Sequence, residues 1–298
     1  MKRKLIEQGG TTLMTSLPSK WLKKFGLKKG DEIDLNIDDQ SIIIGTQQDS
    51  YNKSKINLTG MHIGLAWRFI NSAYKKGVDE LEISFDENMI KGKNLKDQIS
   101  TLKFLNQVTD DLIGMEIINH GKSYCTIKEI SSSSSEDFTH ILNRIILNLM
   151  EISLSNKEYF ETKDQISLEG SIFTTERNIN RLTKYCIRIL NKKNSGVDDR
   201  LKYFKIIHDL EIIGDILTEI SKKVLSNKTK KETKELILLS HEIMSELNRF
   251  IKNPNKNNFI KLYNIKEDIK VNINADEFIF YNVKNIANMI IEIGELLI

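Results

Sequence analysis

The chain has 298 residues, 40% of them hydrophobic and 29% charged, with a formal net charge of +3, long enough for two or three folding units. No apolar run approaches the ~18–20 residues needed to cross a bilayer, and the start, MKRKLIEQGG, lacks the apolar core of a signal peptide. Cys125 and Cys186 show no Cys-x-x-Cys spacing, which fits a reducing interior, so the expected location is cytoplasmic.

In chain order, Lys4–Gln8 reads as a short strand, Gly9-Gly10 as a tight turn and Thr11–Leu17 as a second strand. Pro18 suits a first helical turn, Trp21, Leu22 and Phe25 form the apolar side of a short helix, and Gly26 ends it. Lys29-Gly30-Asp31 reads as a turn. Glu32–Ile37 alternates as a strand, and after Asp38-Asp39 comes a last strand, Ser41–Ile44. A unit of about 45 residues rarely buries enough apolar surface to outweigh chain entropy. Its strand faces therefore call for a second copy or another domain, and an obligate homodimer is expected.

Net charge hides an asymmetry. Residues 1–30 hold eight basic residues against the single acid Glu7, an excess of seven, which predicts an anionic partner. Lys2, Arg3, Lys4, Lys20, Lys23 and Lys24 are the candidates for phosphate contacts on double-stranded DNA. Thr11, Thr12, Ser16 and Ser19 can add hydrogen bonds. Arg3 is the sole arginine of this unit and the candidate for bidentate readout of a guanine. Lysines are also what the solvated face of any amphipathic helix carries.

The ordered set Gly10-Thr11, Leu17-Pro18, Trp21, Gly26-Leu27 and Lys29-Gly30-Asp31 resembles the AbrB/MazE/SpoVT swapped-hairpin DNA-binding family over residues 3–46. It is most similar to the archaeal branch in which that domain precedes a PhoU-like region. The resemblance implies two chains interleaved into one small β-barrel that binds DNA with its basic face. Family members use several arginines there, whereas this face is mostly lysine.

Residues 52–130 read as helix (Met61–Lys75), strand (Leu81–Phe85), helix (Leu95–Leu112) and a hairpin of Met115–Asn119 with Tyr124–Ile130, a small α/β module. Ser131–Ser135 reads as a flexible join. From Glu136 onward the pattern is helical, with breaks near Asn156, at Asn194-Ser195-Gly196, near Asn227, at Asn253-Pro254-Asn255 and near Asn272-Ile273-Asn274. That predicts six helices, in two sets of three, packed as an antiparallel bundle. The expected fold is thus α+β and multidomain: a swapped-hairpin barrel at 1–48, an α/β module at 52–130 and an all-α bundle at 136–298.

Within the helical half, Ile206, Ile207, Leu210, Ile213 and Leu217 share one face. Glu211 and Asp215 sit together on its flank, with His208 a turn earlier. From spacing alone these are solvated flank residues; with ligands from a neighbouring helix they could hold a divalent metal. Leu210-Glu211-Ile212-Ile213-Gly214-Asp215 resembles the Leu-Glu-Arg-Ile-Gly-Asp signature of PhoU proteins, regulators of phosphate uptake. Glu176-Arg177-Asn178-Ile179-Asn180-Arg181-Leu182 resembles the partner helix, with Asn180 where the pattern has Asp. The resemblance implies iron, zinc or magnesium held by Glu176, Glu211 and Asp215, with His208 beside them. In the second set, Lys284 and Asn288 replace both acids, which argues against a second metal site.

His62, His120, His140 and His241 lack partners at useful spacing; His241-Glu242 with Glu246 reads as helix surface. No phosphate-binding loop, nucleophile elbow or zinc-protease signature occurs, so no enzyme is expected. Three functions remain in play. One is a dimeric DNA-binding transcription regulator of phosphate homeostasis. Another is a PhoU-like regulator of a phosphate transporter or signalling kinase whose N-terminal unit only dimerises. The third is an antitoxin, disfavoured by the long helical half.

Overall fold

The computed structural model describes residues 2–38, 41–46, 51–86, 88–92, 98–131, 135–192, 196–226, 231–270 and 275–298. The expected breaks at Asn194-Ser195, Asn227 and Asn272–Asn274, Asp39 of the expected turn, and three serines of the join fall outside these residues. Two compact units result, Met1–Tyr51 and Asn52–Ile298.

In the first unit, β1 (Ile6–Gln8) pairs with β2 (Thr12–Met14) in the register Ile6↔Met14. Both turn glycines take positive φ, 71° at Gly9 and 85° at Gly10, a region that costs a Cβ-bearing residue strain. The strands are shorter than expected because Lys4, Leu5 and Thr15–Leu17 lie outside the pairing. Next comes α1 (Ser19–Phe25), entered from Pro18 and closed by Gly26 at φ 65°, where the Leu27 N–H reaches back to the Leu22 carbonyl at 3.0 Å. A second hairpin joins β3 (Ile33–Asp38) to β4 (Ser41–Thr46), with Leu35 opposite Ile44 and Ile37 opposite Ile42.

The second unit opens with β5 (Lys53–Asn57), α2 (Ile63–Lys75) and β6 (Glu80–Ser84), the helix carrying the chain between two parallel strands. A short hairpin of β7 (Met89–Lys91) and β8 (Gln98–Ser100) leads into α3 (Thr101–Thr109), and β9 (Met115–His120) pairs with β10 (Tyr124–Glu129). The main sheet runs β5-β6-β10-β9. Ile56, Leu81, Ile83, Met115, Cys125 and Ile127 line its buried face. On the other, Lys53 pairs with Glu80 at 2.8 Å and Lys55 with Glu82 at 2.6 Å.

Three features of this module differ from expectation. Strand β5 holds one buried apolar residue among lysines, as edge strands do, and so gives little alternating signal. The β7–β8 hairpin is likewise absent from the sequence reading. Helix α3 begins at Thr101, not Leu95, because Ser100 is extended and the Thr101 N–H bonds the Asn88 carbonyl at 2.9 Å; 95–97 lie outside the described residues.

Six long helices follow among the described residues: α4 (Ser135–Thr162), α5 (Gln165–Asn191), α6 (Arg200–Ser226), α7 (Lys231–Lys252), α8 (Lys256–Asp268) and α9 (Glu277–Leu297). α4, α5 and α6 pack together, as do α7, α8 and α9, with α4 also against α7 and α6 against α9. No break occurs near Asn156, which is fully buried inside α4. The chain turns instead at Lys163 (φ 56°), and Asp164 caps α5 by accepting from the Ser167 N–H at 3.0 Å. Buried Leu149 and Ile152 before the asparagine, and Tyr159 and Phe160 packed on the core after it, carry the helix through. Gly214 sets the closeness of α4, α5 and α6: a Cβ there would stand 3.2 Å from Ile179 and 3.3 Å from Leu149. One continuous core runs from Ile56 of the sheet to Ile293 of α9. Among the described residues, no helix is long and apolar enough to cross a membrane.

Candidate nucleic-acid interface

The basic candidates occupy two segments of the first unit. Lys20, Lys23 and Lys24 project from α1 at spacings that share one helical side, while Trp21, Leu22 and Phe25 are partly covered. The Trp21 and Phe25 rings lie 5.3 Å apart, and the Lys24 ammonium stands 5.5 Å from the Phe25 ring centre. Lys2, Arg3 and Lys4 precede β1 in an unpaired stretch. Thr11 lies in the β1–β2 turn, Thr12 opens β2, Ser16 lies between β2 and α1, and Ser19 opens the helix; all are exposed. Among the described residues, no carboxylate pairs with any of the six basic candidates. Their charge is therefore available to an anion.

Apolar side chains lie bare in the same unit. Ile33, Leu35, Ile37, Ile42 and Ile44 share one face of the β3–β4 hairpin. Ile37 is 82% exposed, Ile42 64% and Leu35 59%; on the first hairpin Leu13 is 62% exposed. No described side chain of residues 2–46 is buried.

In the second unit, Glu176 on α5 lies near Asp215 on α6. Loss of hydration, then the negative charges of Glu211, Glu176 and Glu219, push the Asp215 carboxyl up from its ordinary value. His208 is exposed and stacks on Phe204, ring centres 6.5 Å apart. Among the described residues, no three His, Cys, Asp or Glu side chains stand close enough to hold a metal ion. Glu176, Glu211 and Asp215 form an acidic neighbourhood there, and His208 stacks separately with its aromatic neighbour. Both cysteines are free and buried, and burial pushes the Cys125 thiol up to about 11.

Sequence reasoning missed a basic stripe on α5. Arg177, Arg181, Lys184, Arg188 and Lys192 recur every three or four residues, so they share one side of the helix. Arg188 is fully buried: Nη1 donates to the Tyr74 carbonyl at 3.0 Å and the Val78 carbonyl at 2.8 Å, and Nη2 lies 3.2 Å from Glu129. Lys192 bonds Asp79 at 2.7 Å and also Glu129. Burial opposes ionisation of Asp79, yet the Asn52 N–H and Lys192 hold its carboxyl below the usual range. Arg177 meets Asp111 at 2.9 Å. The spacing was visible in the sequence; the acids that answer it, 59 to 113 positions away, were not.

Searches of curated proteins and of solved structures return no significant match to the chain. A family model described as Antidote-toxin recognition MazE, bacterial antitoxin, matches residues 6–52. That span takes in both hairpins and α1, so the likeness expected from the sequence is borne out for the N-terminal unit.

Proposed function

We propose that the chain is a DNA-binding transcriptional regulator that works as a homodimer through its N-terminal unit, with the helical half as its regulatory part. The observation that carries this reading is the coincidence, within the MazE-type span, of unpaired lysines with bare apolar strand faces. A second copy would cover the apolar faces, and the lysines of both chains would meet the phosphates of one duplex. The contacts would be largely sequence-independent, since lysine offers a point charge where arginine offers a planar fork.

Phosphate uptake is the process we assign to this regulation. The likeness of Leu210–Asp215 to the PhoU signature supports that assignment, as does the grouping of six helices into two packed sets of three. Transporter components or a signalling kinase would then be the partners of the helical half.

The test is a fluorescence-anisotropy titration of duplex DNA with the full chain at several salt concentrations. Affinity should fall steeply as salt rises, and the triple change Lys20→Ala, Lys23→Ala, Lys24→Ala should flatten that slope by about three per chain. Binding indifferent to salt and to these lysines would overturn the proposal. The family description favours one further reading, in which the N-terminal unit recognises a toxin protein. It predicts stable co-purification with a small partner protein and no protected DNA.

A further inference from the structure

The basic stripe of α5 is neutralised unevenly. At its C-terminal end, Arg188 and Lys192 are answered by Glu129, Asp79 and two carbonyls, and near its middle Arg177 is spent on Asp111. Between them lie Arg181 and Lys184. Lys184 is only 5% exposed, yet no carboxylate lies within ion-pair distance among the described residues; its ammonium rests 4.5 Å from the centre of the Trp67 ring. The Arg181 Nε is buried and has no hydrogen-bond partner among the described residues. Lys75, from the last turn of α2, adds a third positive charge near enough to act on Lys184.

A lysine buried to this degree ordinarily has an acid beside it. Here its nearest compensation is an aromatic face, worth less than a desolvated ion pair. Asp111 and Glu211 exert attraction, but Asp111 is already held by Arg177. Two neighbouring cations and a buried guanidinium nitrogen together lack an acceptor with several oxygens. Trp67 is 37% exposed, so the indole beside the ammonium also reaches solvent.

We propose that Lys184, Arg181 and Lys75, beside Trp67, form a binding site for a small oxyanion of the phosphate class. The anion would accept charge-assisted hydrogen bonds from the Lys184 ammonium and the Arg181 guanidinium. Lys75 would supply long-range attraction. This inference stands on the second unit alone and holds whether or not the first grips DNA.

The experiment titrates the full chain, carrying Trp21→Phe so that Trp67 is the only indole, with inorganic phosphate and separately with glycerol 3-phosphate. Heat and Trp67 emission are followed at low salt. Saturable binding of one anion per chain with a change in Trp67 emission is expected. Lys184→Met and Arg181→Gln should each weaken it about tenfold or more, whereas Lys261→Met on the surface of α8 should leave it unchanged. If Lys184→Met unfolds, Lys184→Gln and Arg181→Gln carry the test, with circular dichroism confirming the fold. Preference for inorganic phosphate would mark a free anion as the ligand, and preference for the ester a phosphorylated metabolite. The proposal is overturned if neither anion binds, or if binding ignores both Lys184 and Arg181.

Discussion

His241 shows how a single side chain can depend on a residue far along the chain. From sequence it reads as helix surface beside Glu242 and Glu246. In the structure its Nδ1 lies 3.1 Å from the Oγ of Ser153, a fully buried residue of α4, 88 positions away. Burial pushes its imidazole below the ordinary value of 6.5, Lys157 adds to that, and Glu158 opposes it. A depressed folded value means that the unfolded chain binds protons first. Stability from this group is therefore complete above pH 6.5 and falls as the pH drops through 6.5 toward the folded value. Urea unfolding between pH 7.5 and 5 should show this loss, and His241→Gln should remove its share of the slope; an unchanged slope would refute the assignment. His62 was unreadable for a nearer reason: its ring accepts from the Leu65 N–H at 3.3 Å as the cap of α2, a role usually filled by Ser, Thr, Asp or Asn.

Among the elements, the long helices were the most legible, since a 3.6-residue apolar repeat over many turns leaves little choice. Ile206, Ile207, Leu210, Ile213 and Leu217 share one face by their spacing and are all buried. Boundaries were less so. A lone Asn156 looked like an end, whereas the turn at Lys163 carries no glycine or proline. Least visible was what joins elements, and α5 is the case in point: its sequence displays the basic repeat but not the sheet it clamps. Removing Arg188 would leave Asp79 and Glu129 facing Lys192 alone and free the carbonyls of Tyr74 and Val78. Arg188→Met should therefore destabilise the second unit by about 3–5 kcal/mol, measured by urea unfolding. Arg188→Lys should not restore it, because one ammonium cannot span two carbonyls and a carboxylate in the geometry of a planar fork. A loss below about 1 kcal/mol would show that the clamp adds little beyond packing.

For the whole molecule, the two units differ in how they satisfy the need for a core. The second builds a continuous one from Ile56 to Ile293. The first leaves Ile33, Leu35, Ile37, Ile42 and Ile44 on one hairpin face and buries no described side chain. That shortfall was legible from length alone, because so short a segment has too little interior. Which residues form the open face became visible only with the strand register. In the proposed dimer this face is the contact, and a charge placed on it should separate the copies. Ile37→Lys would forfeit about 3 kcal/mol of apolar burial, which corresponds to a dimer roughly 100-fold weaker. Sedimentation should then show a concentration-dependent shift to single chains. The helical signal of the second unit should persist, because its core is built from its own residues. DNA affinity should fall with the dimer, since each single chain would present only its own lysines to the duplex. A variant that remained dimeric at low concentration would place the contact elsewhere and separate dimerisation from this hairpin.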